Sequence, residues 1–134
     1  MKKQHQITAF RSERGQAMTE FAIVLPVLLL LLLGIVQLGV VWRDYVAVTD
    51  AARAGARKAA VSRYTNPQTA GCSTVRSSAA DLNQSRLTCT VTVDGGLRPG
   101  SDVTVHVTYP YSISLLGYVV AAGALETRTT ERME

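Results

Sequence analysis

The apolar positions of this chain form one continuous block near the N-terminus and periodic patterns after it. From Phe21 to Trp42 there is no charged residue, and six consecutive leucines, Leu28–Leu33, occupy the centre. A helix of these 22 residues, rising ~1.5 Å per residue, is roughly 33 Å long, about the thickness of the hydrocarbon core of a bilayer. Residues 21–42 are therefore predicted to be a transmembrane segment, with Trp42 at the membrane interface.

The helical pattern continues beyond the membrane segment. Small residues recur at spacings of three and four from Ala47 to Ala60, and a turn signal, Thr65-Asn66-Pro67, follows. We predict one helix from about Thr19 to Ser62. Its small-residue face either lets another helix or sheet approach closely or reflects only the helix propensity of alanine.

The second half of the chain changes to a period of two. Alternating Val and Thr residues predict strands over Leu87–Val93 and Val103–Tyr109, paired as an antiparallel hairpin that Pro110 interrupts, and a third strand over Ala124–Arg132. A short helix is predicted over Thr74–Leu82.

The apolar run Ile113–Ala122 is too short to span a bilayer and is either a core element or a membrane-surface loop. The predicted fold class is α+β, a long N-terminal helix followed by a small antiparallel sheet domain.

The positive charge is concentrated before the membrane segment. The net charge of the chain is +4, and residues 1–15 contribute +3 of it, from four basic residues and one acidic residue, Lys2, Lys3, Arg11, Arg14 and Glu13. The positive-inside rule places this end in the cytoplasm and the rest outside it. Two alternatives are a buried core helix and a cleaved secretory signal, although the nearest A-x-A patterns, at 52–54 and 54–56, lie beyond several charges.

Two motifs flank the membrane segment. Before it, the chain reads Arg14-Gly15-Gln16-Ala17-Met18-Thr19-Glu20-Phe21; after it, a second block comprises Ala51, Ala52, Arg53, Ala54, Gly55, Ala56 and Arg57. The first is similar to the Gly-x-x-x-x-Glu-Phe/Tyr processing site of tight-adherence (Flp) prepilins. Together the two blocks resemble the TadE-like family of pseudopilins, or minor pilins, over about the first half of the chain.

The resemblance implies a processing site at Gly15, Gln16, Glu20 and Phe21. A membrane-embedded prepilin peptidase would cut after Gly15 and leave Gln16 as the new N-terminus. It also implies a pilin-like fold and, as partners, other pilin-like subunits and the inner-membrane pilus assembly platform.

Elementary chemistry is consistent with this assignment. Glycine lets an extended backbone enter a protease cleft without a side-chain clash. Removal of residues 1–15 would leave Glu20 near the N-terminal end of the helix, where the helix dipole favours a negative charge by ~0.3–1 kcal/mol. There it either meets a free N-terminal amine or stays in the headgroup layer as an interfacial cap.

The remaining residues indicate no catalytic site. Cys72 and Cys89, on the non-cytoplasmic side, form either a disulfide or two free thiols, with Cys89 on the apolar face of its strand. His5 lies in the leader and His106 on a polar strand face, so no metal site or cofactor is predicted. No basic patch with interleaved aromatic residues suggests nucleic acid, and no nucleophile arrangement suggests an enzyme.

Three regions are therefore predicted: a cytoplasmic leader, 1–15; a long helix, 16–62, containing the segment that contacts the lipid bilayer; and a periplasmic α+β domain, 63–134. The predicted function is that of a minor pilin in assembly of a tight-adherence pilus, and hence in surface attachment. The alternatives are an unprocessed membrane-tethered periplasmic binding or scaffolding module and, more remotely, a membrane-tethered hydrolase.

Overall fold

The described residues fold into two helices and one three-stranded sheet. A computed structural model describes residues 10–134, with side chains from residue 15 onward, so residues 1–9, including Lys2 and Lys3, and the side chains of Arg11 and Arg14 lie outside the described residues. The elements are α1 (Phe10–Ala60), α2 (Pro67–Ser78), β1 (Thr88–Asp94), β2 (Asp102–Leu115) and β3 (Tyr118–Arg132). This confirms the predicted α+β class, a long helix followed by a small antiparallel sheet.

The chain divides into two units, one ending at Gln37 and one comprising Leu38–Glu134. In the first unit, the described residues belong to α1, and the side chains from Phe21 to Leu33 are all exposed. The second unit contains the remainder of α1, α2 and the sheet, and it holds the hydrophobic core.

Helix α1 begins at Phe10, earlier than the predicted Thr19, and ends at Ala60, close to the predicted Ser62. No glycine or proline occurs between Phe10 and Arg14, so nothing in the leader sequence opposes helix there. At the other end the chain tightens into a three-residue turn in which the Ser62 amide donates to the Ala59 carbonyl at 3.0 Å.

Helix α2 corrects the predicted position of the short helix, Thr74–Leu82. It begins at Pro67 because Asn66 caps it: Asn66 Oδ1 accepts hydrogen bonds from the amides of Gln68 at 3.0 Å and Thr69 at 3.2 Å. Proline at the first helical position needs no intrahelical hydrogen bond and has the required φ. The Asn-Pro pair that ends the preceding segment therefore also starts the next helix.

The sheet has the order β1-β2-β3, with both pairs antiparallel. Val105 of β2 lies between Val91 of β1 and Thr129 of β3. Along β2 the valines at 103, 105 and 107 are buried, and the intervening Thr104 and His106 lie on the other face. This confirms the predicted alternation of the first two strands.

Beyond Tyr109 the structure corrects the predicted strands. Strand β2 continues through Pro110 to Leu115, and β3 begins at Tyr118 rather than Ala124. Pro110 is tolerated because β1 begins only at Thr88, opposite Thr108, so no strand among the described residues pairs with that edge of β2 at Pro110. The run Ile113–Ala122 is therefore the end of a β-hairpin with its turn, and it lies outside the buried core.

The core of the second unit lies between α1, α2 and one face of the sheet. Five α1 side chains belong to it, namely Val48, Ala51, Ala52, Ala56 and Ala59. They form one buried cluster with Val75 of α2 and the inward valines of β2. The small-residue face of α1 is thus a packing surface, and alanine here does more than favour helix.

Candidate functional site: the leader junction and the domain end of the helix

The first candidate site is the junction around Gly15. Gly15 is helical and exposed, and a Cβ added to it would meet no heavy atom within 4 Å. The Thr19 hydroxyl donates to the Gly15 carbonyl at 2.9 Å, and Gln16 Nε2 donates to Glu20 Oε1 at 3.2 Å. Gln16, Glu20 and Phe21 are all exposed, so an approaching protein can reach the whole junction.

Glu20 lies well inside the helix of the uncut chain. Since α1 begins at Phe10, Glu20 lies about three turns inside the helix, and the favourable dipole at the helix start does not reach that far. Glu20 comes close to a helix N-terminus only in a chain that begins at Gln16.

The segment that follows fits a membrane span. Helix α1 is long and apolar enough over Gly15–Ala60 to cross a bilayer, and its most apolar 18-residue stretch has no buried residue. Fifteen large exposed apolar side chains between Phe21 and Val40 would face water if no lipid or protein covered them. A buried core helix is therefore excluded for the described structure of this segment.

Aromatic and charged residues mark the domain end of the apolar run. The rings of Trp42 and Tyr45 have centroids 5.9 Å apart. Between them, Arg43 Nη2 lies 3.0 Å from Asp44 Oδ1. An aromatic pair beside a neutralised charge pair is typical of a membrane–water interface.

The post-membrane motif divides into a buried and an exposed set. Ala51, Ala52, Gly55 and Ala56 are buried in the core, whereas Arg53 and Arg57 are exposed. Arg53 Nη1 lies 3.5 Å from Asp50 Oδ1, an exposed pair that contributes little to stability. Cleavage at the A-x-A patterns of this motif would remove Val48 and Ala51 from the core, which argues against a secretory signal.

Gly55 of the motif lies against α2. A Cβ on Gly55 would overlap Val75 Cγ2 and lie 3.0 Å from the Gly71 carbonyl oxygen. A Cβ on Gly71 would lie 3.1 Å from the Cβ of Ala59 and 3.1 Å from Cγ2 of Val91. The two glycines therefore let α1 and α2 approach to backbone contact, and Gly71 is a partner that the sequence analysis missed.

Cys72, the residue after Gly71, is joined to Cys89 of β1. The two Sγ atoms are 2.05 Å apart in a disulfide, and the described residues contain no free cysteine. The bond links α2 to the edge strand, beside the glycine contact with α1. The second motif and the two cysteines thus come together in the domain core, whereas Gly15–Phe21 belong to the other unit.

The outward face of the sheet is polar. Thr104 and Thr130 share a 2.8 Å hydrogen bond between their hydroxyls, and His106 Nε2 lies 3.8 Å from Glu126 Oε2. His106 is on the polar face, as predicted. Among the residues that the structure describes, no group of three or more His, Cys, Asp or Glu is placed to hold a metal ion.

These features define a class of protein: a chain with one exposed apolar helix that continues into the core of a small α+β domain. Residues 15–57 match the family described as TadE-like protein, a pilin-like family associated with the tight-adherence pilus. The match confirms the predicted family resemblance, and it includes the junction motif, the apolar segment and the post-membrane motif. No curated protein and no solved structure gives a significant match.

Proposed function

We propose that this protein is a minor pilin or pseudopilin that is cut after Gly15 by a prepilin peptidase and is required for assembly of a tight-adherence pilus. The observation that carries the proposal is the family match, which begins at Gly15 and ends at Arg57. No part of this assignment requires the chain to catalyse a reaction.

The proposed cleavage is hydrolysis of the Gly15–Gln16 peptide bond. Water adds to the carbonyl, and the products are a carboxylate on Gly15 and a free α-amine on Gln16. A protease binds an extended backbone, so the turn at Gly15 must unwind and the Thr19–Gly15 and Gln16–Glu20 hydrogen bonds must break. Glycine lowers the cost of this step, because its backbone loses helix most readily.

The cut would change the charge at the junction. It removes a segment of net charge +3 and creates one ammonium group near Glu20. In the uncut chain, the Gln16 side-chain amide donates a hydrogen bond to Glu20 Oε1. A carboxylate close to the bilayer is costly unless it is paired, so the new amine, of the same or a neighbouring subunit, is a suitable partner.

The proposed topology is single-pass in the bacterial inner membrane, with the leader in the cytoplasm and the domain in the periplasm. The basic leader supports this orientation. The Cys72–Cys89 disulfide supports it as well, because such bonds persist in oxidising compartments. The proposed partners are the prepilin peptidase, the inner-membrane assembly platform and other pilin-like subunits, reached through the exposed apolar helix.

Intact-mass measurement of the protein from its native membrane tests the proposal. We expect a chain that lacks residues 1–15, and a full-length chain when the peptidase gene is deleted or when Gly15→Leu is introduced. Ala17→Leu, two residues along the same exposed helix, is the matched control and should still be cut.

A second readout separates processing from assembly. Cells that lack this protein should lose surface pili, and the wild-type gene should restore them. Full-length protein in wild-type cells, unchanged by Gly15→Leu, would contradict the proposal and favour an uncut tether for a periplasmic binding or scaffolding module.

A further inference from the structure

The β2–β3 hairpin extends past the rest of the sheet. Strand β1 ends opposite Thr108, whereas β2 and β3 remain paired from Pro110↔Ala124 to Leu115↔Tyr118. Residues 110–124 therefore form a two-stranded extension, which we call the distal hairpin. An isolated hairpin of this kind is only marginally stable in water.

The distal hairpin is apolar and exposed. No charged residue occurs between His106 and Glu126. At its tip Leu116 is 75% exposed, Tyr118 78% and Val119 65%. A contiguous exposed apolar surface on a small domain marks a site of contact with a membrane or a protein.

Three contacts give the direction of this hairpin within the domain. The Glu134 amide donates to the Ala60 carbonyl at 3.4 Å, and the Thr127 hydroxyl lies 3.2 Å from that of Thr49. Leu125 borders an apolar groove with α1 residues Leu38, Gly39, Val41, Trp42 and Tyr45. From Leu125 to Glu134, strand β3 thus runs in the same direction as α1, and the root of the distal hairpin lies at the end of the domain that carries Trp42.

The turn at the tip has an unusual residue. Leu116 and Gly117 both have positive φ, 52° and 86°. Two-residue turns of this kind favour Asn-Gly or Gly-Gly, because a side chain with Cβ is strained in the left-handed region. Leucine is therefore disfavoured here both by its backbone conformation and by its exposure to water, and an apolar surrounding would offset the second cost.

We infer that the distal hairpin is a second membrane contact, in which Leu116, Tyr118 and Val119 enter the interfacial layer of the leaflet from which α1 emerges. The end of the predicted span, Leu38–Trp42, shares a groove with Leu125 at the root of the hairpin, so the hairpin starts at the level of the interface. Tyr111 and Tyr118 suit this depth, because each combines an apolar ring with a hydroxyl that stays hydrated. The inference needs the membrane anchor but not cleavage after Gly15.

The contact is confined to the interface. Past Thr108 the outer edge of β2 has no partner strand among the described residues, and its backbone polar groups need water or headgroups. In the hydrocarbon core each unsatisfied group would cost several kcal/mol. The hairpin therefore lies in the headgroup layer and does not span.

Tryptophan fluorescence in vesicles tests the inference. The full chain carrying Trp42→Phe and Tyr118→Trp is reconstituted in phosphatidylethanolamine–phosphatidylglycerol vesicles, with or without bromine on the acyl chains close to the headgroup. Leu97→Trp in the same Trp42→Phe chain is the matched control, since Leu97 is an exposed leucine in the turn between β1 and β2, at the opposite end of the sheet. Retention of the Cys72–Cys89 bond on a non-reducing gel verifies folding of both variants.

The expected result is a blue-shifted emission from position 118 that bromine quenches, with no quenching at position 97. Adding Leu116→Asp to the Tyr118→Trp chain should reduce the quenching, because a charge at the tip opposes insertion. Equal emission in brominated and unbrominated vesicles for position 118 would overturn the inference. So would a blue shift that appears only at high protein-to-lipid ratio, which would assign the surface to a neighbouring subunit.

Discussion

The carbonyl oxygen of Gly71 in α2 lies 3.0 Å from the position that a Cβ on Gly55 of α1 would occupy. The two helices therefore meet backbone to backbone, inside a core made mainly of alanines and valines. Close packing of this kind leaves no volume for an added methyl group. Gly55 belongs to the post-membrane motif, so the motif has a structural role in joining α1 to the domain.

Replacing Gly55 with alanine should destabilise the domain. The added methyl would overlap Val75 and press on the Gly71 carbonyl, and overpacking of this kind typically costs about 1–3 kcal/mol. Pulse proteolysis in a urea series, with the full chain in detergent micelles, measures the change in the free energy of unfolding.

Gly39→Ala is the matched control for this test. Gly39 lies in the same helix, and a Cβ there meets nothing within 4 Å. The exchange should leave the domain unaffected or stabilise its helix by up to ~1 kcal/mol. An equal decrease in the free energy of unfolding for Gly55→Ala and Gly39→Ala would show that the Gly55 contact is not close packed.

Removing the cap of α2 is expected to weaken the domain. Asn66→Ala leaves the Gln68 and Thr69 amides without their side-chain acceptor, at a typical cost of ~0.5–2 kcal/mol. Asn66→Asp keeps the acceptor and should retain most of the stability. The same urea series compares them, and an aspartate variant as unstable as the alanine variant would argue against capping by the side-chain oxygen.

Loss of the disulfide should have a larger effect than loss of the cap. Cys72 and Cys89 are 17 positions apart, and a loop of this length typically contributes ~2–4 kcal/mol. The double variant Cys72→Ser/Cys89→Ser should match the reduced wild-type protein in urea midpoint. Addition of reductant to the double variant is the control, and any shift there would point to an effect unrelated to this bond.

Neutralising Glu20 should separate processing from assembly. Glu20→Gln leaves Gly15 unchanged but removes the charge proposed to pair with the new α-amine. We expect normal loss of residues 1–15 by intact mass and several-fold fewer surface pili by electron microscopy. Glu20→Asp keeps the charge and should be less impaired, whereas full piliation in the glutamine variant would refute the pairing.

Features set by local pattern were predictable from the sequence. The uncharged run from Phe21 to Trp42 predicts its helix because length and composition alone fix what can cross a bilayer. The Val/Thr alternation predicts the paired centres of β1 and β2, since one buried face imposes a period of two. The junction motif was found for a similar reason, because its residues are contiguous.

Features set by a distant neighbour were not predictable. Whether a strand can continue through Pro110 depends on whether β1 extends far enough to pair with β2 at that position. The sequence around Pro110 does not indicate where β1 begins. The β3 arm of the distal hairpin, residues 118–124, lacks alternation because neither of its faces packs on the core. Only the position of α2 in the structure identifies Gly71 as a partner of Gly55, since a lone glycine in a Ser/Thr-rich stretch does not predict a helix contact.

The Cys72–Cys89 bond has a consequence for the life of the protein in the cell. In the proposed topology, the bond closes only after the domain has been exported, because cytosolic thiols are kept reduced. A copy whose domain is stranded in the cytosol would hold α2 to β1 by packing alone and would unfold more often. Quality-control proteases could therefore distinguish stranded copies from exported ones, and the pool available for the proposed role in assembly would be restricted to chains that had completed translocation.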